Sequence, residues 1–367
     1  MKKILTFSLL IAFVAMCGLF FNNATDTTAE AEAASTPQYT NSDGEYVVLY
    51  SDYSGWIPVR YAQFTGIMAK HAKKYNVKIK VTKPMTYDRT LELYPSGKYA
   101  GVVITNMDVL ASAFGGIDST VVVVGDYSNG NDGVVSQDGS QTMQDLKGKK
   151  INLTVASVSD YLLTRCLSMA GMTSRDVKIS SSNELAISAG FQSKEMQNVV
   201  TWNPTLMQIR NMPNARLLCD SSKIPEEIVD MIVVQTGVPA GVKKAIAGAW
   251  YEVMGIMQNQ RSKTGKLAIE KMASAMGCST DEYKAQLRTT NLYYTPEKAI
   301  SVVESAKFKK TMTYVRDFCF EKGVFEGADT PDSFGIVFPD GTILGNAKNI
   351  KLRYSTEYMN MAAKGLL

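Results

Sequence analysis

Tyr99-Ala100-Gly101-Val102-Val103-Ile104-Thr105-Asn106-Met107-Asp108 is the stretch that decides the fold class. Its apolar run shows no two-residue alternation and is too short for a helix. Such a run fits a strand buried on both faces, as in a parallel sheet. Thr120-Val121-Val122-Val123-Val124-Gly125 repeats the pattern and also breaks off into polar residues, starting at Asp126. Working outward, Glu45–Tyr50, Val77–Val81 and Lys150–Val155 read as strands. Arg60–Tyr75 and Asp160–Gly171 read as helices, and Asn198–Trp202, Arg216–Cys219 and Met231–Gln235 as further short strands. Beyond Gly237 come four helices in series, Ala240–Gln258, Lys263–Met276, Pro296–Ser305 and Lys309–Lys322. A hairpin comes next over Phe334–Leu344, turning at Asp340-Gly341. Alternating strands and helices imply right-handed crossovers in an open α/β sheet. Ligands of such sheets sit beyond the carboxyl ends of the strands.

The ends of the chain and its composition narrow the function. Of 367 residues, 45% are hydrophobic and 20% charged, with 39 Lys+Arg against 35 Asp+Glu. Mean hydropathy is -0.08. These values suit a globular protein of about two domains and exclude a polytopic membrane protein. With no dense basic stripe, nucleic acid is not an expected partner. The single histidine, His71, cannot build a His-rich metal site or a His-paired nucleophile, and it falls on the apolar face of its helix. Lys2 and Lys3, the apolar run Ile4–Phe21 and an Ala-rich end give residues 1–34 the form of a secretory signal. Val14-Ala15-Met16 before Cys17 is similar to a lipobox, with Met16 where a small residue is expected, so a lipid anchor at Cys17 is the alternative. Residues 35–44 read as a linker. Cys166, Cys219, Cys278 and Cys319 match no metal spacing; free, buried thiols are expected, with pairing in an exported chain as the alternative. Gly125–Gly133 departs from a calcium loop at Asn131 and Gln137. No phosphate loop is present, and no cofactor or metal is expected.

Chemistry gathers at the strand ends. Six polar segments come after the strands, beginning at Ser51, Thr105, Gly125, Ala156, Thr201 and Asp220. Through Asp230 they hold nine acids and one base, Lys223, inside a chain that is net positive. An anion site would need Arg or Lys. This set suits a small cation or an amide-like donor, and an aromatic face holds a planar cation at about 0.5–2 kcal/mol. Asp108 is the first candidate partner, with Glu227 and Asp160 next and Asp126 in the same set. Trp56 and Trp202 are candidate apolar faces. Asn106, Ser157, Ser159 and Asn203 are candidate hydrogen-bonding groups, with Ser157 and Ser159 equally suited to capping a helix. Asp52, Asp132, Asp220 and Asp230 are read as turn and capping residues.

In their order, Asn106-Met107-Asp108, Gly116-Ile117-Asp118-Ser119-Thr120 running into Gly125–Gly133, Val200-Thr201-Trp202-Asn203-Pro204 and Asp220–Glu227 resemble the substrate-binding proteins of nitrate/sulfonate/taurine-type ABC importers. The likeness is greatest to the urea-type subgroup associated with urea carboxylase genes. Asp160 stands where relatives often carry His. The resemblance runs from about Glu45 to at least Asn259. It implies a type II periplasmic-binding-protein fold: lobe 1 from 45–129 and 234–367, lobe 2 from 130–233. Two crossings are expected near Val124–Gly133 and Met231–Thr236. It also implies an exported, monomeric, non-enzymatic protein that hands a small solute to a membrane permease. The alternatives are a sulfonate/nitrate or thiamine-precursor-like ligand, or a sensor role for a receptor. The fold is also similar to that of pyrimidine-precursor synthases, whose His and metal this chain's single His does not match. Urea is the subgroup's label; guanidinium fits the charge count better.

Overall fold

The computed structural model describes residues 39–367. The signal segment, Cys17 and the first part of the expected linker lie outside them. Two sheets carry the chain. The larger runs Ile79–Val81, Tyr46–Leu49, Gly101–Thr105, Val229–Gln235, Ser119–Ser128, then Ile350–Tyr354, Gly335–Val337 and Ile343–Gly345. Thr290–Leu292 pairs separately with Ser119–Ser128. The smaller runs Lys178–Ser181, Lys150–Leu153, Asn198–Trp202, Asp132–Ser136, Arg216–Asp220.

The first five strands in each order share one arrangement. Three neighbours are parallel, and the fourth, which arrives from the other sheet, is antiparallel to both its neighbours. Each sheet with its helices is therefore one lobe of common topology. The apolar runs at 101–105 and 119–124 fill central strands and are buried throughout, as double-sided burial requires. The chain leaves the larger sheet after Ser128 and enters the smaller one at Asp132. It returns between Asp220 and Val229. The return therefore lies ahead of the expected Met231–Thr236, because Met231–Gln235 pairs on both sides inside the larger sheet.

Three local expectations change. Arg60–Tyr75 is two helices, Ile57–Phe64 and Ile67–Lys74. The break is Gly66, whose φ of 79° lies in the left-handed region open to glycine. The described part of the linker is ordered by Asn41, whose Oδ1 accepts from the Asp43 and Glu45 amides, while Thr40 bridges to Tyr46. Cys166 and Cys219 are not free thiols. Helix Val158–Met169 packs beside strand Arg216–Asp220, and the two cysteines form a disulfide with Cα atoms 6.3 Å apart. Cys278 and Cys319 are free. His71 is buried in the core, with Nε2 2.7 Å from Glu252. Among the described residues, no helix is long and apolar enough to cross a membrane.

Candidate functional site

A cavity of about 420 Å³ opens between the lobes, walled by segments that lie beyond the strand ends of both sheets. From the larger lobe and the return crossing come Ser51–Tyr53, Trp56, Met85–Asp88, Leu91, Thr105, Asp108, Ile228 and Asp230. The smaller lobe adds Asp132, Thr154–Val158, Asn183–Leu185 and Trp202. Six carboxyl side chains line it, those of Asp52, Asp88, Asp108, Asp132, Glu184 and Asp230, and no Lys, Arg or His does.

Asp108 begins helix Asp108–Phe114, directly after strand Gly101–Thr105. Its Oδ2 accepts from the Tyr87 and Thr105 hydroxyls, both at 2.7 Å, and its Oδ1 has no protein donor. Burial pushes the carboxyl above its usual range; those hydroxyls pull it back and Asp88 adds to the rise. Asp132 opens the first strand of the smaller sheet. Its Oδ2 accepts from Ser128, and its register partner is Trp202. Burial raises this carboxyl to about 7, against the Ser128 hydrogen bond, with Asp108 contributing. Asp230 stands between Asp126 and Thr105 on neighbouring strands. Burial and then Asp126 hold it well above the carboxylate range, and Trp56 draws it down. Glu184 accepts from Thr205 at 3.0 Å; burial raises it, and Asp88 of the other lobe raises it further. Tyr53, Trp56 and Tyr87 form one aromatic wall, with ring centroids 5.1 Å apart across each contact of Trp56.

Of the ten residues singled out in the sequence, Trp56, Asp108, Ser157 and Trp202 line the cavity. Ser157 is also the helix cap: its Oγ accepts from the Ser159 amide and donates to the Thr154 carbonyl. The other six are not on the wall, for identifiable reasons. Asn106 clasps the return crossing, donating to the Glu227 carbonyl and accepting from the Val229 amide. Asp160 is fully buried and spent on the Ala156 amide and on Lys322 Nζ, 2.7 Å away. Glu227 accepts from two nitrogens of the Arg165 guanidinium, at 2.7 and 2.9 Å, and from the Tyr161 hydroxyl. Asn203 bonds Asn131 and Thr289 and accepts from the Met207 amide in helix Thr205–Arg210. Ser159 is buried behind the wall, and Asp126 lies behind Asp230.

Sequence reasoning passed over Asp132 and Asp230 by reading them as turn residues; both are strand residues. Asp220 does cap, accepting from Ser222, and Asp52 pairs with Arg60. Tyr53, Tyr87, Asp88 and Glu184 were also missed. Glu184 sits one residue past Asn183, which caps its helix, and that cap was a signal available in the sequence.

A family model described as NMT1/THI5 like matches residues 63–236. A putative binding protein of Brucella abortus is 34% identical over 80 residues, covering 22% of this chain and 25% of that protein. The chain thus matches only about a quarter of the length of such curated relatives. Among solved structures, the alkanesulfonate-binding protein SsuA of Xanthomonas axonopodis pv. citri, bound to MOPS, superposes with a TM-score of 0.63 at 15% identity. That match covers 77% of this chain and 94% of that one. The periplasmic aliphatic sulphonate binding protein SsuA of Escherichia coli gives 0.63 at 17%, covering 76% and 87%. At such identity the likeness is one of fold. Shared strand order, two crossings and a cavity between the lobes agree with it: the chain has the two-lobed α/β fold of the periplasmic binding proteins.

Proposed function

We propose that the protein is the extracytoplasmic solute-binding component of an ABC importer, with a planar nitrogenous cation of the guanidinium class as its solute. One observation carries the choice of ligand: six carboxyl groups and no basic side chain line the cavity between the lobes. Binding a sulfonate there would bury an anion among carboxylates without a counter-charge, at a cost of several kcal/mol. A guanidinium ion reverses that balance. Asp108 and Asp132 supply free carboxylate oxygens from opposite lobes, so one cation draws the lobes together. Trp56, Tyr53 and Tyr87 supply ring faces on one side and Trp202 on the other. Urea has the same shape but carries no charge to neutralise the acids, so it binds less tightly. Val155 and Leu185 add an apolar margin on the smaller lobe. The cavity exceeds what bare guanidinium fills, and an N-alkyl substituent fits against that margin.

Delivery to a permease accords with the fold, the relatives' names and the signal-like residues 1–34. The Cys166–Cys219 disulfide accords with an oxidising compartment outside the cytoplasm. Calorimetric titration with guanidinium, methylguanidinium, urea and an alkanesulfonate tests the reading. Guanidinium compounds should bind most tightly, raise the melting temperature and compact the protein in solution scattering. Tight binding of the sulfonate with none of guanidinium defeats it, and turnover of any bound compound points to an enzyme.

A further inference from the structure

Behind the cavity wall sits a group that cation binding alone does not explain. Asp126 and Asp230 occupy directly opposed positions on antiparallel neighbours, so their side chains share one face of the sheet. Asp126 is 0% exposed and Asp230 3%. Neither oxygen of Asp126 has a donor, and Oδ2 of Asp230 has none either. Gly55 permits this closeness, because a Cβ there would collide with the Asp126 carboxyl.

Among the described residues, none supplies a counter-ion. The smaller sheet brings Asp132, and the loop after the first strand brings Tyr53 and Trp56. Asp108, whose charge acts on Asp132, begins helix Asp108–Phe114, and Tyr283, Tyr293 and Tyr294 are near enough to feel the charge of Asp126. None of these is Lys, Arg or His, and no described ion pair includes Asp108, Asp126, Asp132 or Asp230. Two buried carboxyls side by side without a cation do not both ionise; a proton held between them is the low-energy state.

We infer that Asp126 and Asp230 share one proton in the ligand-free protein and that this proton selects the solute. A cation entering the cavity releases it to solvent, leaving Asp230 as a carboxylate facing the ligand. A neutral carbonyl solute binds with the proton in place and accepts a hydrogen bond from the protonated Asp230. Asp126, which does not reach the cavity, thereby acts as a positioning residue for the charge of Asp230. The inference rests on the cation reading above and adds a proton stoichiometry to it. Burial and mutual repulsion, which hold both carboxyls above their usual range, agree with the geometry.

Two measurements decide it. In the ligand-free protein, infrared difference spectra against pH should show a protonated carboxyl band that persists above the titration of Asp132 near 7 and is reduced in Asp230→Asn. In calorimetry with guanidinium chloride, the heat should differ between buffers of small and large ionisation heat, as release of up to about one proton requires. Guanidinium affinity should rise by up to about tenfold per pH unit while the pair is protonated; urea affinity should stay level or fall. In Asp126→Asn the guanidinium slope should move to lower pH. Guanidinium binding with equal heats in both buffers and no pH slope overturns the inference and leaves the cation site standing. Absence of the carboxyl band in the wild-type protein also overturns it, whether or not any variant folds. Failure of guanidinium to bind while the band is present overturns both this selection and the proposed function.

Discussion

Asp160 and Glu227 on one hand, and Asp108, Asp132 and Asp230 on the other, are acids drawn from the same strand ends. Four are buried and Glu227 is half-buried, and the two sets behave as opposites. Lys322, at the end of helix Ala306–Glu321, reaches Asp160 on the smaller lobe, and Arg165 grips Glu227 on the return crossing. These pairs fasten the lobes along the hinge side, where Tyr161 also packs edge-on against Phe318 with centroids 5.1 Å apart. The other three acids receive hydroxyls, or nothing, and face a cavity. Burial is common to both sets. The source of the neutralising charge separates them: the chain supplies it for the first, and a solute is left to supply it for the second.

Exchanging the two behaviours is the most severe test. Asp160→Ala strands Lys322 beside an apolar wall and should cost about 3 kcal/mol of stability, the low end for a broken buried pair because Lys322 keeps some exposure. Its effect on guanidinium affinity should be smaller. Asp108→Asn should do the reverse. Stability should hold or rise, since an uncompensated buried carboxylate is removed, while guanidinium affinity falls by roughly 2–5 kcal/mol. Thermal unfolding is the right assay, because both common denaturants are candidate ligands. If both variants lose stability alike, Asp108 belongs with the paired acids and the contrast collapses.

The second test is pH. Asp132 is held at about 7 against an ordinary value of 3.8. A carboxyl raised in the folded state binds more protons there than in the unfolded chain. Its stabilising contribution is therefore complete below about pH 4 and is lost as pH climbs through about 7. For the ligand-free protein this amounts to as much as about 4 kcal/mol by the size of the shift. Asp132→Asn should flatten melting temperature against pH over that range and raise it near pH 8. Identical pH profiles for variant and wild type would place Asp132 among the ordinary acids.

The two sets of acids also differ in how far the sequence reveals them. The runs at 101–105 and 119–124 announce central strands, and ligands of such sheets lie beyond strand ends, so Asp108 and Trp56 were within reach. Lys322 is 162 positions from Asp160 and Arg165 is 62 from Glu227; no local pattern ties such partners together. Asp126 and Asp132 flank a polar run that imitates a loop. In the fold they belong to a strand end and a strand start, separated only by Asn129–Asn131. Tyr87 lies on a seven-residue helix too short and too polar to show periodicity. Pairing register, which sets Asp230 beside Asp126, is a property of two strands and is written in neither alone.

The disulfide sharpens the contrast between lobes. Cys166–Cys219 closes 53 residues within the smaller lobe, while Cys278 and Cys319 remain free outside it. A closed loop of that length limits the unfolded chain and contributes about 2–4 kcal/mol. Replacing both cysteines by Ser should lower stability by that amount, read as a lower melting temperature. Guanidinium affinity should stay within about a factor of two, since neither residue touches the cavity wall. A large loss of affinity would show that the wall of the smaller lobe is held in place by this link. Mass analysis of protein from its native host, before and after reduction, checks the bond itself.

The smallest expected effect tests whether the smaller lobe contributes to recognition or only to enclosure. Trp202 is half-buried at the end of its strand and stands opposite Asp132 in the register, so it presents a ring next to a carboxyl. A ring face over a partly desolvated cation is worth about 0.5–2 kcal/mol. Trp202→Ala should weaken guanidinium by that amount, and Trp202→Phe by less, because the face is kept and only the indole's stronger quadrupole is lost. Urea has no charge for the ring to attract, so its affinity should change by less than that of guanidinium in both variants. An equal loss for the two solutes would make Trp202 a wall that excludes water and nothing more. The choice of a cation would then rest entirely with the unpaired acids.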